Sequence, residues 1–321
     1  MKRFQELSHA FLKYFDTDHF PRQPAGLYDA ASYMLEAGGK RVRPVLCLMG
    51  NELFTDIHAD AWKTATAIEL FHNFTLIHDD IMDKAPLRRG NATVHARYNE
   101  SSALLAGDVM LLKAYEYLNA TGSRHAQMLI GQLNEVGRQV CEGQQMDMDF
   151  ENNPSVTLTG YLHMIELKTA VLLAASLRMG AIIAGAGEED QKNLYAFGKN
   201  LGLAFQVQDD WLDAFGDPEK FGKKTGGDII RNKKTFLLVK ALESGHAQQK
   251  KEILQLLDYS GPDKVEEMLQ LFRACAVDAA AQTAQQHYFD QAMVDLERIR
   301  IDSGRKIPLH EMAVYLMQRN T

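Results

Sequence analysis

Cysteine is scarce in this chain of 321 residues, with only Cys47, Cys141 and Cys275. They lie far apart and show none of the spacings of a metal site. That leaves no disulfide framework and fits a reducing, cytoplasmic compartment better than a secreted one. The eleven histidines are scattered, which argues against a histidine-based metal hydrolase. No basic excess exists: the formal net charge is -7, and a nucleic-acid partner is not expected because phosphate backbones recruit basic proteins. Long apolar runs are missing too. The most membrane-like stretch, Thr169 to Gly187, carries Arg178 in its middle and reads as a buried core helix, so no stable membrane insertion is expected. The first residues, MKRFQELSHAFLKYF, hold charges throughout and lack the apolar core of a signal peptide.

What remains is helical. Prolines number 8, and most fall between segments whose apolar residues recur at three- and four-residue steps. No run shows sustained strand alternation. The pattern predicts helices near 4–16, 27–37, 41–54, 59–84, 101–119, 124–149, 157–186, 188–215, 234–257, 262–286, 287–301 and 308–317. Gly38-Gly39, Asn152-Asn153-Pro154 and Gly261-Pro262 mark breaks. Nothing resembles a flexible linker, so one large all-α domain over residues 1–321 is expected.

Two acidic clusters stand out. His78-Asp79-Asp80-Ile81-Met82-Asp83 is echoed by Gln208-Asp209-Asp210-Trp211-Leu212-Asp213. Each has the form Asp-Asp-x-x-Asp at the end of an otherwise apolar helix. Helical residues four apart share a face, so Asp79 and Asp83 point one way, as do Asp209 and Asp213. Like charges on one turn repel, and the C-terminal end of a helix already disfavours anions. A cation would offset both faults. Ligands that are all carboxylate select a hard ion such as Mg2+, which keeps water and takes phosphate oxygens as further ligands. These six aspartates carry most of the net charge of -7, so the surplus is concentrated at the proposed site.

Cations accompany each cluster. Gly38-Gly39-Lys40-Arg41-Val42-Arg43-Pro44 places three of them at a helix start, where free N–H groups favour anions. Arg88-Arg89-Gly90 trails the first cluster; Lys223-Lys224 and Lys233-Lys234 trail the second. Lys168-Thr169 lies within apolar helical sequence. Metal ions with guanidinium and ammonium groups are the usual apparatus for gripping diphosphate.

Together these residues resemble the trans-isoprenyl diphosphate synthases, the farnesyl and geranylgeranyl diphosphate synthase family. The resemblance runs from about residue 27 to about residue 240 and includes GGKRVRP, LIHDDIMDKAPLRRG, GQQMD, KT, FQVQDDWLD, GKKTGGD and NKKT in the family's order. It implies an isoprenoid synthase fold, a helical bundle around a deep central cavity, with the two aspartate motifs facing each other at its mouth. It implies three Mg2+ ions, held most directly by Asp79, Asp83 and Asp209 with Asp80, Asp210 and Asp213 in support. By the same resemblance Lys40, Arg43, His72 and Arg89 hold isopentenyl diphosphate. Arg88, Lys168, Lys223 and Lys233 hold the allylic diphosphate, with Gln144 and Asp147 behind them. Thr169 and Gln206 turn dipoles toward the cation formed when the allylic C–O bond breaks, and Lys168 completes that catalytic group. His78, beside Asp79, is expected to pack or orient and not to act as a base.

Phe74 matches the family's length-limiting position. Thr75 and Phe71, four and eight residues before Asp79, point roughly with it. One isoprene unit spans roughly a helical turn, so the floor predicts a C15–C20 product, with a lean to geranylgeranyl. The resemblance also implies a homodimer. Two other readings are open: a terpene cyclase or head-to-head synthase, and a non-catalytic subunit of a heteromeric synthase. The isopentenyl-binding set weighs against the first, and two intact aspartate motifs weigh against the second.

Overall fold

A computed structural model describes residues 1–15, 18–151, 153, 155–217 and 225–317. Among these residues the elements are helices apart from one pair of two-residue strands, so the chain is all-α. The helices group into two compact units.

The first unit holds Met1–Glu135, Ala175–Lys192 and Ile301–Pro308. It contains α1 (Lys2–Phe15), α2 (Ala25–Glu36), α3 (Val42–Glu52) and α4 (Ala59–Met82), then strands β1 (Leu87–Arg88) and β2 (Asn91–Ala92), then α5 (Val94–Arg97) and α6 (Glu100–Asn119). It also takes in the start of α7 (Ser123–Glu151) and most of α9 (Val171–Ile183). Helix α4 buries Ala61, Ala65, Ile68, Leu70, Phe71 and Ile77, apolar residues spread around its circumference. A helix apolar on most sides belongs in a core, and α4 packs closely along α6 and α3. Small residues set the approach of α3 to α9. A Cβ on Gly180 would overlap the Cys47 carbonyl, and one on Gly50 would overlap the Leu177 carbonyl.

The second unit holds Val136–Ala174, Asn193–Arg300 and Leu309–Thr321. It contains α8 (Leu158–Ile165), a π turn at Glu166–Ala170, most of α10 (Glu188–Phe215), α11 (Gly227–Ile230), α12 (Phe236–Ser244), α13 (Ala247–Asp258), α14 (Lys264–Ala274), α15 (Val277–Arg298) and most of α16 (Ser303–Met317). Its core joins Tyr161, Val207, Phe236, Leu238, Met268 and Phe272.

Several boundaries differ from the periodicity. The single helix expected over 234–257 is broken at Gly245, whose N–H closes α12 on the Ala241 carbonyl, and His246 with Gln249 forms a capping box that restarts the chain. The break expected at 287 lies instead at Ala276, which adopts a left-handed φ of 53°. Strand pairing at Leu87–Ala92 was not legible as alternation because each strand has only two residues. Its turn puts Arg89 and Gly90 at φ 53° and 79°, the mirror-image turn that suits a tight hairpin. No helix among the described residues is long and apolar enough to cross a membrane.

Candidate active site

The first cluster closes α4. Asp83 caps the helix, its N–H donating to the Asp79 carbonyl at 2.9 Å. Asp80 turns inward, its side chain 2% exposed, while Asp79 is 20% exposed and Asp83 lies in solvent. The chain reverses at Lys84, in a left-handed conformation, and the hairpin carries Arg88 back to the helix end. Arg88 Nε donates to both Asp80 oxygens at 2.8 Å, and Nη2 reaches Asp79 Oδ2 at 3.3 Å. Burial pushes the Asp80 carboxyl up and Arg88 works against it. Burial also opposes the Arg88 charge, but Asp80 outweighs that and raises the guanidinium above its ordinary value.

Arg89, at the hairpin tip, donates to the Gly38 carbonyl, and its guanidinium lies over Gly39. A Cβ at Gly39 would strike that guanidinium, and its φ of 145° is one that other residues rarely adopt. The glycine pair thus makes room for a cation. Arg43 on α3 donates from Nη1 to His72 Nε2 on α4 at 3.0 Å. Desolvation, with Arg89 adding, pushes Arg43 down to about 10. His72 is pushed far below its ordinary value by desolvation and then by Arg43, Arg89, Arg88 and Arg41. It is therefore neutral, with Nε2 accepting and the proton on Nδ1. Arg41 is buried and spent internally: it pairs with Glu69, donates to the Leu35 carbonyl at 2.8 Å and lies 5.2 Å from the Phe15 ring centre. Lys40 is exposed at the glycine pair. Lys40, Arg43, His72 and Arg89 thus come from three segments, with Arg43 touching His72 directly.

Below this, Phe74 lies edge-on to Phe71 at 5.5 Å and to His78 at 4.9 Å. Thr75 folds its hydroxyl back to the His72 carbonyl at 2.8 Å. The His78 ring sits where a Cβ on Gly107 of α6 would be, and Nε2 is 3.1 Å from the Leu104 carbonyl.

The second cluster lies near the end of α10. Asp210 is buried, and its Oδ2 accepts the Tyr161 hydroxyl and the Phe236 N–H, the latter at 2.7 Å. Burial pushes Asp210 up to about 7. Burial and then Asp210 push Tyr161 well above its ordinary value. Asp209 and Asp213 are half-buried. Asp213 Oδ2 accepts the Asp228 N–H at 2.9 Å, and its carbonyl accepts the Gly226 N–H at 2.6 Å. Lys168 lies in the π turn and donates to Asp147 Oδ2 at 2.6 Å. A Cβ on Gly143 of α7 would overlap the Lys168 backbone, so α7 and the π turn touch directly. Thr169, Gln206 and Gln144 are half-buried and Lys233 is exposed. Lys223 lies outside the described residues.

In each cluster the middle aspartate is buried and the outer two are less buried, Asp83 in solvent and Asp79, Asp209 and Asp213 partly exposed. Solvent-reachable carboxylates one turn apart suit a hard cation. Among the described residues no three histidine, cysteine or acidic side chains gather tightly enough to hold a metal alone. The donor set therefore fits Mg2+ only as it is held at phosphoryl substrates, with water and phosphate completing the shell. Sequence reasoning missed Tyr161, which has no motif, and the π turn, a distortion that recurs at functional sites. Gly107, a lone glycine inside a helical pattern, was a usable signal.

The family model described as polyprenyl synthetase matches residues 24–275. The short chain isoprenyl diphosphate synthase of Methanocaldococcus jannaschii is 44% identical over 232 residues, 72% of this chain and 71% of that one. A crystal structure of a geranylgeranyl pyrophosphate synthase superposes with a TM-score of 0.93 at 40% identity, covering 99% of both chains. A polyprenyl synthase from Caulobacter crescentus, in complex with calcium and isoprenyl diphosphate, superposes with a TM-score of 0.87 at 27% identity, covering 100% of this chain and 98% of that one.

Proposed function

The chain belongs to the polyprenyl synthetase family and is a short-chain prenyltransferase; from that premise we propose that it joins isopentenyl diphosphate head-to-tail to an allylic diphosphate by ionising the allylic C–O bond. The observation that carries this reading is the pairing, in each acidic cluster, of two partly or fully exposed carboxylates one turn apart with a buried third. Asp79, Asp83, Asp209 and Asp213 are the ligands of three Mg2+ ions in this reading; Asp80 and Asp210 hold the turns in shape. Bound magnesium would supply Lewis-acid neutralisation of the departing diphosphate.

The protein's own groups do the rest. Arg88, Lys168, Lys233 and Lys223 hold the allylic diphosphate and offset charge as it develops. Lys40, Arg43, His72 and Arg89 hold isopentenyl diphosphate; Glu69 is already taken by Arg41 and Asn73, which leaves this group cationic. Thr169 and Gln206 present dipoles that stabilise the allylic cation and are too weakly nucleophilic to trap it. The double bond of isopentenyl diphosphate attacks that cation, a C–C bond forms, and a proton is lost to the released diphosphate. His78 is a packing residue in this scheme, because Gly107 and the Leu104 carbonyl fix its ring.

In this reading Phe74 and Phe71, with Thr75 beside them, form the floor that stops the growing chain, which favours C15–C20 with a lean to geranylgeranyl. Residues 1–321 act as one domain. This reading includes a cytoplasmic location and a homodimer; for the dimer, Leu105 and Leu112 of α6, 55% and 63% exposed, and Met128 of α7, 51% exposed, offer apolar surface.

Product chromatography with labelled isopentenyl diphosphate and each allylic primer tests the reaction. Asp79→Ala and Asp209→Ala are each expected to lower turnover by about 10³-fold or more with the helical circular dichroism unchanged. Full activity in either variant would remove that residue from the metal site. Phe74→Ala is expected to lengthen the products, and an unchanged product would remove Phe74 from the floor.

A further inference from the structure

Lys264 is buried at 6% exposure in the first turn of α14. A lysine ordinarily keeps its ammonium in water, and burying it is costly. The N-terminal end of a helix disfavours a cation as well. Its recorded partners are neutral: Nζ donates to Asn232 Oδ1 at 2.7 Å and to the Leu257 carbonyl at 3.3 Å. Leu257 lies in the last turn of α13, whose negative end partly offsets the cost. Such a placement has to be explained by what it holds.

It holds the end of a short turn. Helix α11 has one turn, and the chain leaves it through Asn232 in the left-handed conformation, φ 55°. The Lys233 N–H donates to the Asp228 carbonyl at 2.9 Å and the Asn232 N–H to the Ile229 carbonyl at 3.1 Å. This is the pair of bonds of a Schellman cap, with Asn232 at its left-handed position. The cap sets the direction in which Lys233 departs. Asn232 is gripped twice, by Lys264 and through its own Nδ2 donating to the Leu257 carbonyl at 2.8 Å. Val265, the next residue of α14, packs on Gly226 at the other end of the turn, where a Cβ would strike its side chain. The same segment is fastened at its front to Asp213, through the Asp228 and Gly226 N–H groups. Two neighbouring residues of α14 therefore brace both ends of a segment that joins Asp213 to Lys233.

We propose that Lys264 is a positioning residue for the allylic diphosphate, acting through Asn232 to aim Lys233. The inference rests on the assignment of Lys233 made above. Its test uses the full chain with Mg2+, steady-state kinetics in both substrates, and calorimetry with the unreactive dimethylallyl S-thiolodiphosphate. Lys264→Met removes the ammonium. Asn232→Gly keeps a residue at ease in the left-handed region and removes only the side chain that Lys264 grips. Both are expected to raise the KM for the allylic diphosphate and the Kd of the analogue about tenfold, with the KM for isopentenyl diphosphate within about twofold of the parent. If Lys264→Met does not fold, Asn232→Gly carries the test alone. Allylic KM and analogue Kd unchanged in Asn232→Gly, or an equal rise in both substrates' KM, would overturn the proposal. A parent protein that does not bind the analogue would instead defeat the assignment of Lys233, a different result from binding that the variants retain.

Discussion

Asp80 and Asp210 are the middle carboxylates of two Asp-Asp-x-x-Asp turns, and both are buried, at 2% and 5% exposure, yet they keep different company. Asp80 is met by a full counter-charge, the Arg88 guanidinium delivered by a hairpin. Asp210 is met by neutral donors, a tyrosine hydroxyl and a backbone N–H. The first arrangement sets a charge against the burial that raises the Asp80 carboxyl and stations an arginine beside Asp79. The second sets only hydrogen bonds against burial, so that the Asp210 proton is held up to about pH 7. A single motif can thus be stabilised by an ion pair or by hydrogen bonds, and the choice decides whether the cation touches the motif's own buried carboxylate.

The comparison breaks most visibly under paired substitutions. Asp80→Asn leaves Arg88 with only its longer contact to Asp79. Removing one side of a buried ion pair costs about 3–5 kcal/mol; the Arg88 side chain is 26% exposed, so the lower end of that range, about 3 kcal/mol, is expected in urea unfolding. Asp210→Asn retains an oxygen acceptor for both Tyr161 and Phe236 and is expected to cost about 1 kcal/mol or less. Equal losses in the two variants would mean that the clusters are held alike. Tyr161→Phe sharpens the second half. It removes one neutral donor from a buried oxygen, so a loss of about 1–2 kcal/mol is expected, smaller than that of Asp80→Asn.

This contrast also marks how far the sequence could be read. The acidic clusters were legible because their geometry is local: residues four apart on a helix share a face wherever the helix goes. The helical class was legible for the same reason. Which of two adjacent aspartates turns inward was not, because Arg88 arrives through a hairpin with two-residue strands and Tyr161 comes from another helix. Arg41 and Arg43 are a parallel case. Both follow the glycine pair, but Arg41 sits in a left-handed conformation that sends it to Glu69, while Arg43 reaches His72. The Gly245 and Ala276 breaks depended on caps and a single left-handed residue, which periodicity does not register.

The guanidinium-rich character of the first region makes a smaller, pH-dependent prediction. His72 is held neutral by desolvation and by Arg43, Arg89, Arg88 and Arg41, so its folded pKa lies well below 6.5. Between 6.5 and that lower value the unfolded chain binds a proton that the folded chain refuses. Stability due to His72 is therefore present above pH 6.5 and is lost as the pH falls through this window, by at most about 1.4 kcal/mol per pH unit. His72→Asn should flatten that slope. His19, also held below its ordinary value by desolvation, would keep part of it. Bound diphosphate places negative charge beside the arginines that repel the imidazolium, so saturating isopentenyl diphosphate should shrink the His72 share further. Denaturant unfolding at a series of pH values, with and without that ligand, reads both effects. A slope identical in parent and His72→Asn would show that the cations of the first region do not act on this imidazole, and the contrast with the neutral donors around Asp210 would lose its electrostatic basis.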